Sequence, residues 1–169
     1  MYGCEPEKLV FLDESGININ MTRCYARSNG GSRAVDAVPL WKPQNITVLS
    51  SIRLKGEADY TTYAGGTTSE RFIDYLKNIL IPTLSSDSIV IMDNMRSHHT
   101  KAVKDLLAQA GVHYLYLPPY SPDLNPIEKM WAKIKVFLTI NEQIPKSAQT
   151  PLFTLREHFE QKSLVKHNF

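Results

Sequence analysis

Apolar and polar positions alternate along the chain in blocks the length of single strands and helices. Leu9-Val10-Phe11-Leu12 is an apolar run that meets Asp13-Glu14-Ser15-Gly16, which predicts a buried strand stopped by a polar turn. Residues 21–38 are largely polar and broken by Asn29-Gly30-Gly31, predicting a strand pair around a turn that needs positive φ. Ile46 to Ile52 predicts another strand, closed by Lys55-Gly56-Glu57. After Gly65-Gly66, Thr68 or Ser69 can cap a helix whose apolar residues Phe72, Ile73, Leu76, Ile79 and Leu80 keep helical spacing until Pro82. Ile89-Val90-Ile91-Met92 repeats the opening pattern and again meets an acid, Asp93.

Lys101 to Ala110 is amphipathic through Val103, Leu106 and Leu107, and Gly111 stops it. Val112 to Leu117 predicts a further strand, and Pro118-Pro119-Tyr120-Ser121-Pro122 forces an extended connector. In Asn125-Pro126-Ile127-Glu128, Asn is a cap, Pro takes the first helical position and Glu the third, so a helix is predicted to about Leu138. Residues 144–151 predict a linker and 152–164 a closing helix. The order is β-β-β-α-β-α-β-α plus that last helix. Strands joined by short turns should be antiparallel and those separated by helices parallel, giving an α/β domain with a mixed five-stranded sheet flanked by helices. This is the order of the ribonuclease H-like fold.

A chain of 169 residues is long enough for one core and short for two. No apolar run approaches a membrane span, and the acidic residues of MYGCEPEK do not suit a signal peptide. Cys4 and Cys24 form no paired motif and read as ordinary reduced thiols, in keeping with a cytoplasmic protein. The net charge of +2 announces no partner, but its distribution is uneven. Residues 21–55 carry six basic side chains against the single Asp36, and residues 94–104 carry three against none.

The chemistry concentrates in the acids. Two apolar strands that each meet an Asp would, if adjacent and parallel, bring Asp13 and Asp93 to one sheet edge, where ligand sites of such sheets lie. Carboxylates held that close repel or share a proton unless a cation neutralises them, and a hard divalent ion suits oxygen donors. Glu128, at the start of a helix, is positioned to complete the set. Taken singly, Asp13 and Asp93 are also what a turn or cap requires, and Glu128 what a capping box with Asn125 requires. Glu14 should point to the opposite face from Asp13, and Asp123 has no fixed direction; both are second choices.

The run Leu117-Pro-Pro-Tyr-Ser-Pro-Asp-Leu-Asn-Pro-Ile-Glu-Lys-Met-Trp131 closely resembles the third-acid signature of insertion-sequence transposases of the mariner-like DDE (Asp-Asp-Glu) superfamily. Phe11-Leu-Asp-Glu-Ser-Gly16 resembles the first-acid motif, and Asp93-Asn94 with His98 the second. The 34 residues between Asp93 and Glu128 match the superfamily's spacing, and residues 25–34 are similar to its second-strand hairpin, with Arg27 and Arg33 on either side of the Gly turn. The resemblance covers residues 9–138. It implies a catalytic domain over 1–140 and a C-terminal linker and helix over 141–169, without the helix-turn-helix DNA-binding domain that family members carry ahead of it.

The resemblance further implies that Asp13, Asp93 and Glu128 are both catalytic residues and ligands of two Mg²⁺ or Mn²⁺ ions about 3.5–4 Å apart. The implied reaction is strand cleavage at element ends and strand transfer into target DNA, in a prokaryotic cytoplasm near the nucleoid. Double-stranded DNA is the implied partner, with a homodimer possible in the working complex. Asn94 is a turn residue or a donor behind the metal ligands; His98 either orients a phosphate or carboxylate or caps the next helix. Arg27, Arg33, Lys129, Lys133 and Lys135 are candidate phosphate contacts, or else a solvated face. Trp131, Ile134 and Leu138 read as core, and Tyr120 as packing in preference to base stacking. Two alternatives stay open: another ribonuclease H-like nuclease, such as a resolvase or RNA-hybrid hydrolase, and an inactive DNA-binding or dimerising transposase relic.

Overall fold

The computed structural model describes residues 5–18, 27–33, 35 and 45–140. Five strands, β1 (Leu9–Asn18), β2 (Asn45–Arg53), β3 (Ala58–Ala64), β4 (Ile89–Met92) and β5 (His113–Tyr116), form one sheet in the order β3-β2-β1-β4-β5. β1–β2 and β2–β3 are antiparallel, while β1–β4 and β4–β5 are parallel. Helices α1 (Ser69–Tyr75) and α2 (Lys101–Gln109) cover one face and α3 (Ile127–Ile140) the other.

The two-residue period of β1 divides the core. Val10 and Leu12 point into a cluster with Phe72, Leu76, Val90, Met92 and Leu107, whereas Ile17 points into a second cluster with Val48, Ile127, Trp131 and Ile134. Asp13 shares the face of Ile17 and Glu14 that of Leu12. Both faces of β1 and β4 are therefore covered, as parallel strands require.

Four details depart from the sequence reading. β1 is not stopped at Asp13: it runs to Asn18 because β2 pairs with it throughout, from Val10 opposite Arg53 to Asn18 opposite Asn45. Backbone hydrogen bonds hold the polar stretch that composition alone marks as a turn. β3 was not foreseen; its residues Ala-Asp-Tyr-Thr-Thr-Tyr-Ala lie at the sheet edge, half-buried, without the apolar alternation of a covered strand. It follows a tight turn at Gly56, φ 77°, whose N–H bonds the Arg53 carbonyl.

The third departure is at residues 27–33. The Gly turn is there, with Gly31 at φ 87° and the Ser32 N–H on the Asn29 carbonyl, but Arg27, Ser28, Ser32 and Arg33 are not in strands. Most of the rest of the proposed strand pair lies outside the described residues, as do Cys4, Cys24 and residues 141–169. Fourth, α1, capped by the Thr68 side chain, widens into a π-type turn over Leu76–Leu80 and a 3₁₀ turn over Ile81–Thr83. Pro82 has no N–H to continue the α-helical ladder, and the Ile81 N–H reaches back to Leu76. Among the described residues no helix is long and apolar enough to cross a membrane.

Candidate active site

The last parallel pair of β1 and β4 is Leu12 with Met92, so Asp13 and Asp93 are the next residues on adjacent strands. Asp93 follows the end of β4, while Asp13 stands within β1. Asp13 is buried, and its Oδ2 accepts a hydrogen bond of 3.1 Å from the indole N–H of Trp131, itself buried on α3. Glu128 precedes Trp131 by three residues, on the same side of the helix. All three carboxylates line one cleft of about 410 Å³, together with Asn94, Asn125 and the connector 117–122.

The carboxyls are electrostatically unequal. Burial, with the charges of Glu128 and Asp93 adding to it, pushes Asp13 up to about 7 against the Trp131 bond. Burial alone would also raise Asp93, but the hydrogen bond and charge of His98, helped by the Met95 N–H, outweigh it and hold Asp93 below the usual carboxylate range. His98 is completely buried, with Nδ1 2.8 Å from Asp93 Oδ1 and Nε2 3.4 Å from Glu14 Oε2. Burial would lower it, yet the two carboxylates prevail and lift it to about 9, which favours its charged form. Its ring stacks on Phe72 with centroids 4.0 Å apart.

His98 thus lies against a carboxylate and does not cap α2; the cap is Thr100, whose hydroxyl accepts from the Val103 N–H. Asn94 bonds His99, which stacks on Tyr116, so its side chain supports the loop after β4. Asn125 does not cap through its side chain: its backbone carbonyl accepts the Glu128 N–H at 3.1 Å, while Oδ1 is buried without a partner beside the cleft. Tyr120 is not packed. It is fully exposed on the lip of the cleft at φ 57°, an uncommon backbone state for a residue with a side chain. Arg27, Arg33, Lys129 and Lys133 are exposed and Lys135 is half-buried with an interaction of its own; none of the five lines the cleft.

Sequence reasoning missed Trp131 as a partner of Asp13 and Asn125 as a buried oxygen donor. The indole N–H was a visible signal, since a buried Trp usually finds an acceptor. As to metal, Asp13, Asp93 and Glu128 offer the cleft hard oxygen donors beside the Met95 thioether, and the like charges that add to the effect of burial on Asp13 are what a cation relieves; such a donor set fits a hard divalent ion. Among the described residues, no three acid, His or Cys side chains are drawn together as a finished metal cluster. The carboxylates share the cleft without yet converging.

Residues 8–150 match the family described as DDE superfamily endonuclease. No curated protein sequence matches. Among solved structures, the chain is similar to the Mos1 mariner paired-end complex with Mn (TM-score 0.75, 23% identity, 93% of this chain and 49% of that one). It is likewise similar to the Mos1 paired-end complex with Mg (0.74, 25%, 91% and 48%) and to the Mos1 strand transfer complex (0.73, 23%, 92% and 48%). The chain spans about half the length of these Mos1 chains. The shared architecture is the ribonuclease H-like fold of transposase and integrase catalytic domains.

Proposed function

The chain belongs to the DDE superfamily of endonucleases, and from that membership we propose that it is a transposase catalytic domain that cuts DNA at element ends and joins those ends to target DNA. The observation that carries the reading is that Asp13, Asp93 and Glu128 line one cleft, with Asp13 raised by burial and by the charges of the other two. Acids 80 and 35 positions apart are brought to one cleft by the parallel pairing of β1 with β4 and by the start of α3. The Mos1 complexes, solved with Mg, with Mn and after strand transfer, support the same chemistry by analogy.

Asp13, Asp93 and Glu128 would hold two Mg²⁺ or Mn²⁺ ions. Bound there, such cations supply Lewis acidity, activating a water or a DNA 3′-hydroxyl and neutralising the leaving oxygen. The protein's own share is preorganisation. Trp131 fixes one oxygen of Asp13, and His98 keeps Asp93 ionised and aimed. Glu128, exposed on the first turn of α3, closes the cleft from the other side, and the Asn125 oxygen offers a further neutral donor. Arg27, Arg33, Lys129, Lys133 and Lys135 would bind phosphates of double-stranded DNA outside the cleft, in a complex that a second copy completes. The site of action would be a prokaryotic cytoplasm.

Metal-dependent nicking of a supercoiled plasmid tests the reading. Nicking by the wild-type chain should need Mg²⁺ or Mn²⁺ and stop with EDTA, and Asp93→Asn should reduce it by roughly a thousandfold, the several kcal/mol a correctly held metal contributes. An Asp93→Asn protein that nicks at the wild-type rate would refute it. A relic that only binds DNA would nick nothing in either form.

A further inference from the structure

We propose that Glu14 is a positioning residue for the active site, holding His98 from its Nε2 side so that Nδ1 stays aimed at Asp93. The inference rests on the reading of the cleft as a metal-dependent nuclease site. Glu14 itself is not in the cleft: the alternation of β1 turns it to the face opposite Asp13, towards α1. Its side chain is 9% exposed and both carboxylate oxygens are buried without a hydrogen-bond partner. Among the described residues the cationic group at ion-pair distance is His98 Nε2, at 3.4 Å, which likewise makes no hydrogen bond.

A buried carboxylate with a single partner is costly, and packing alone would be served better by an apolar side chain. What Glu14 adds is direction. The His98 ring lies on Phe72, and the Tyr116 hydroxyl bonds the His98 carbonyl at 2.9 Å, so backbone and ring plane are fixed. What remains free is which ring edge faces Asp93. A buried acid 3.4 Å from Nε2, with Asp93 2.8 Å from Nδ1 on the other side, favours the ring orientation that turns a nitrogen, and not a carbon, to each carboxylate. The resulting line, Glu14 to His98 to Asp93, carries order from one face of the sheet round the end of β4 to the other. It has the logic of the carboxylate–histidine pairs that orient metal ligands, with a carboxylate in the place of the ligand.

The test is Mn²⁺ titration of the full chain with a DNA duplex present, followed by the electron paramagnetic resonance of the free ion, beside plasmid nicking. The variants are Glu14→Gln, His98→Asn, the double variant, and Asp93→Asn. Glu14→Gln should weaken Mn²⁺ binding and slow nicking by about 10- to 100-fold, as loss of a residue behind a metal ligand does. The double variant should lose no more than His98→Asn alone, because both act along one line. Wild-type Mn²⁺ binding by Glu14→Gln with only a lower melting temperature, or full additivity with His98→Asn, would overturn the proposal. If Glu14→Gln does not fold, Glu14→Asp, which withdraws the charge by one methylene, is read by the same two outcomes. Loss of binding and nicking in Asp93→Asn with no change in Glu14→Gln sinks this inference alone. A wild-type chain that neither binds Mn²⁺ nor nicks sinks the reading of the cleft, and this proposal with it.

Discussion

Asp13 and Asp93 occupy equivalent places on neighbouring parallel strands, yet the protein treats them in opposite ways. Asp13 is buried against α3 with a neutral donor, Trp131, and two like charges nearby; it is pushed up to about 7. Asp93 is half-exposed beside His98 and is held below the usual carboxylate range. The difference teaches that the two acids are electrostatically unequal: burial and like charges push Asp13 towards its neutral form, while His98 favours the ionised form of Asp93. Repulsion among the acids is thereby relieved at Asp13, and a cation that replaces its proton meets the Asp93 side already organised.

The comparison breaks most sharply in stability against pH without metal. Asp13 is raised in the folded chain, so its contribution is full below the unfolded carboxyl value of about 3.9 and is lost as pH rises through about 7. Asp93 is lowered, so its contribution is present above that value and lost as pH falls through its folded one. His98, raised to about 9, contributes fully below its unfolded value of about 6.5 and loses that contribution as pH rises through about 9. Urea denaturation in EDTA should therefore show Asp13→Asn removing the decline between about pH 4 and 7, gaining on the order of a few kcal/mol at pH 8, and keeping the later decline that belongs to His98. The same variant should lose the rise in melting temperature that millimolar Mn²⁺ gives the wild type. If wild type and Asp13→Asn have parallel pH profiles, the carboxyls are not unequal in the way described.

A smaller effect isolates the Trp131 contact. Trp131→Phe keeps an aromatic ring in the core and removes the indole N–H that Asp13 accepts, which should cost about 1–3 kcal/mol at pH 8, where the carboxylate is more ionised, and less at pH 5. An equal loss at both pH values would mean that only packing was disturbed. The smallest effect lies outside the cleft. Binding of two unrelated duplexes should be weak, with dissociation constants of ~10⁻⁴ to 10⁻⁶ M at physiological salt, and Lys129→Ala or Lys133→Ala should each reduce the salt slope by roughly one. Tight binding to one duplex alone, surviving high salt, would show a sequence reader within this chain.

The two aspartates were legible because each follows an apolar run, and the third acid because its Pro-rich approach is so distinctive. Parallel pairing then followed from the helix between the strands. Other features lie beyond what local pattern can carry. Glu14-Ser15-Gly16 is polar enough to read as a turn, and pairing with residues 47–49 keeps it extended. β3 hides because an edge strand needs no apolar face. Asn125 in front of Pro126 has the sequence of a side-chain cap, but its Oδ1 is buried without a partner and capping is left to the backbone. The Trp131 to Asp13 bond joins residues 118 positions apart, a distance at which no periodicity speaks.

The parallel pairing of β1 with β4 also bears on how the domain assembles. Its register aligns Leu9 with Ile89 and brings together residues 80 positions apart, so closing it requires the intervening hairpin and α1 to be threaded back over the sheet first. Contacts of such long range form late and slowly, whereas the β2–β3 hairpin closes locally. The cleft is therefore expected to form only once that long-range pairing closes, so that a cation added during refolding finds no complete site before then. Such an ion should slow unfolding and leave the folding rate unchanged, making the active site a clasp on the finished domain and not a nucleus for it.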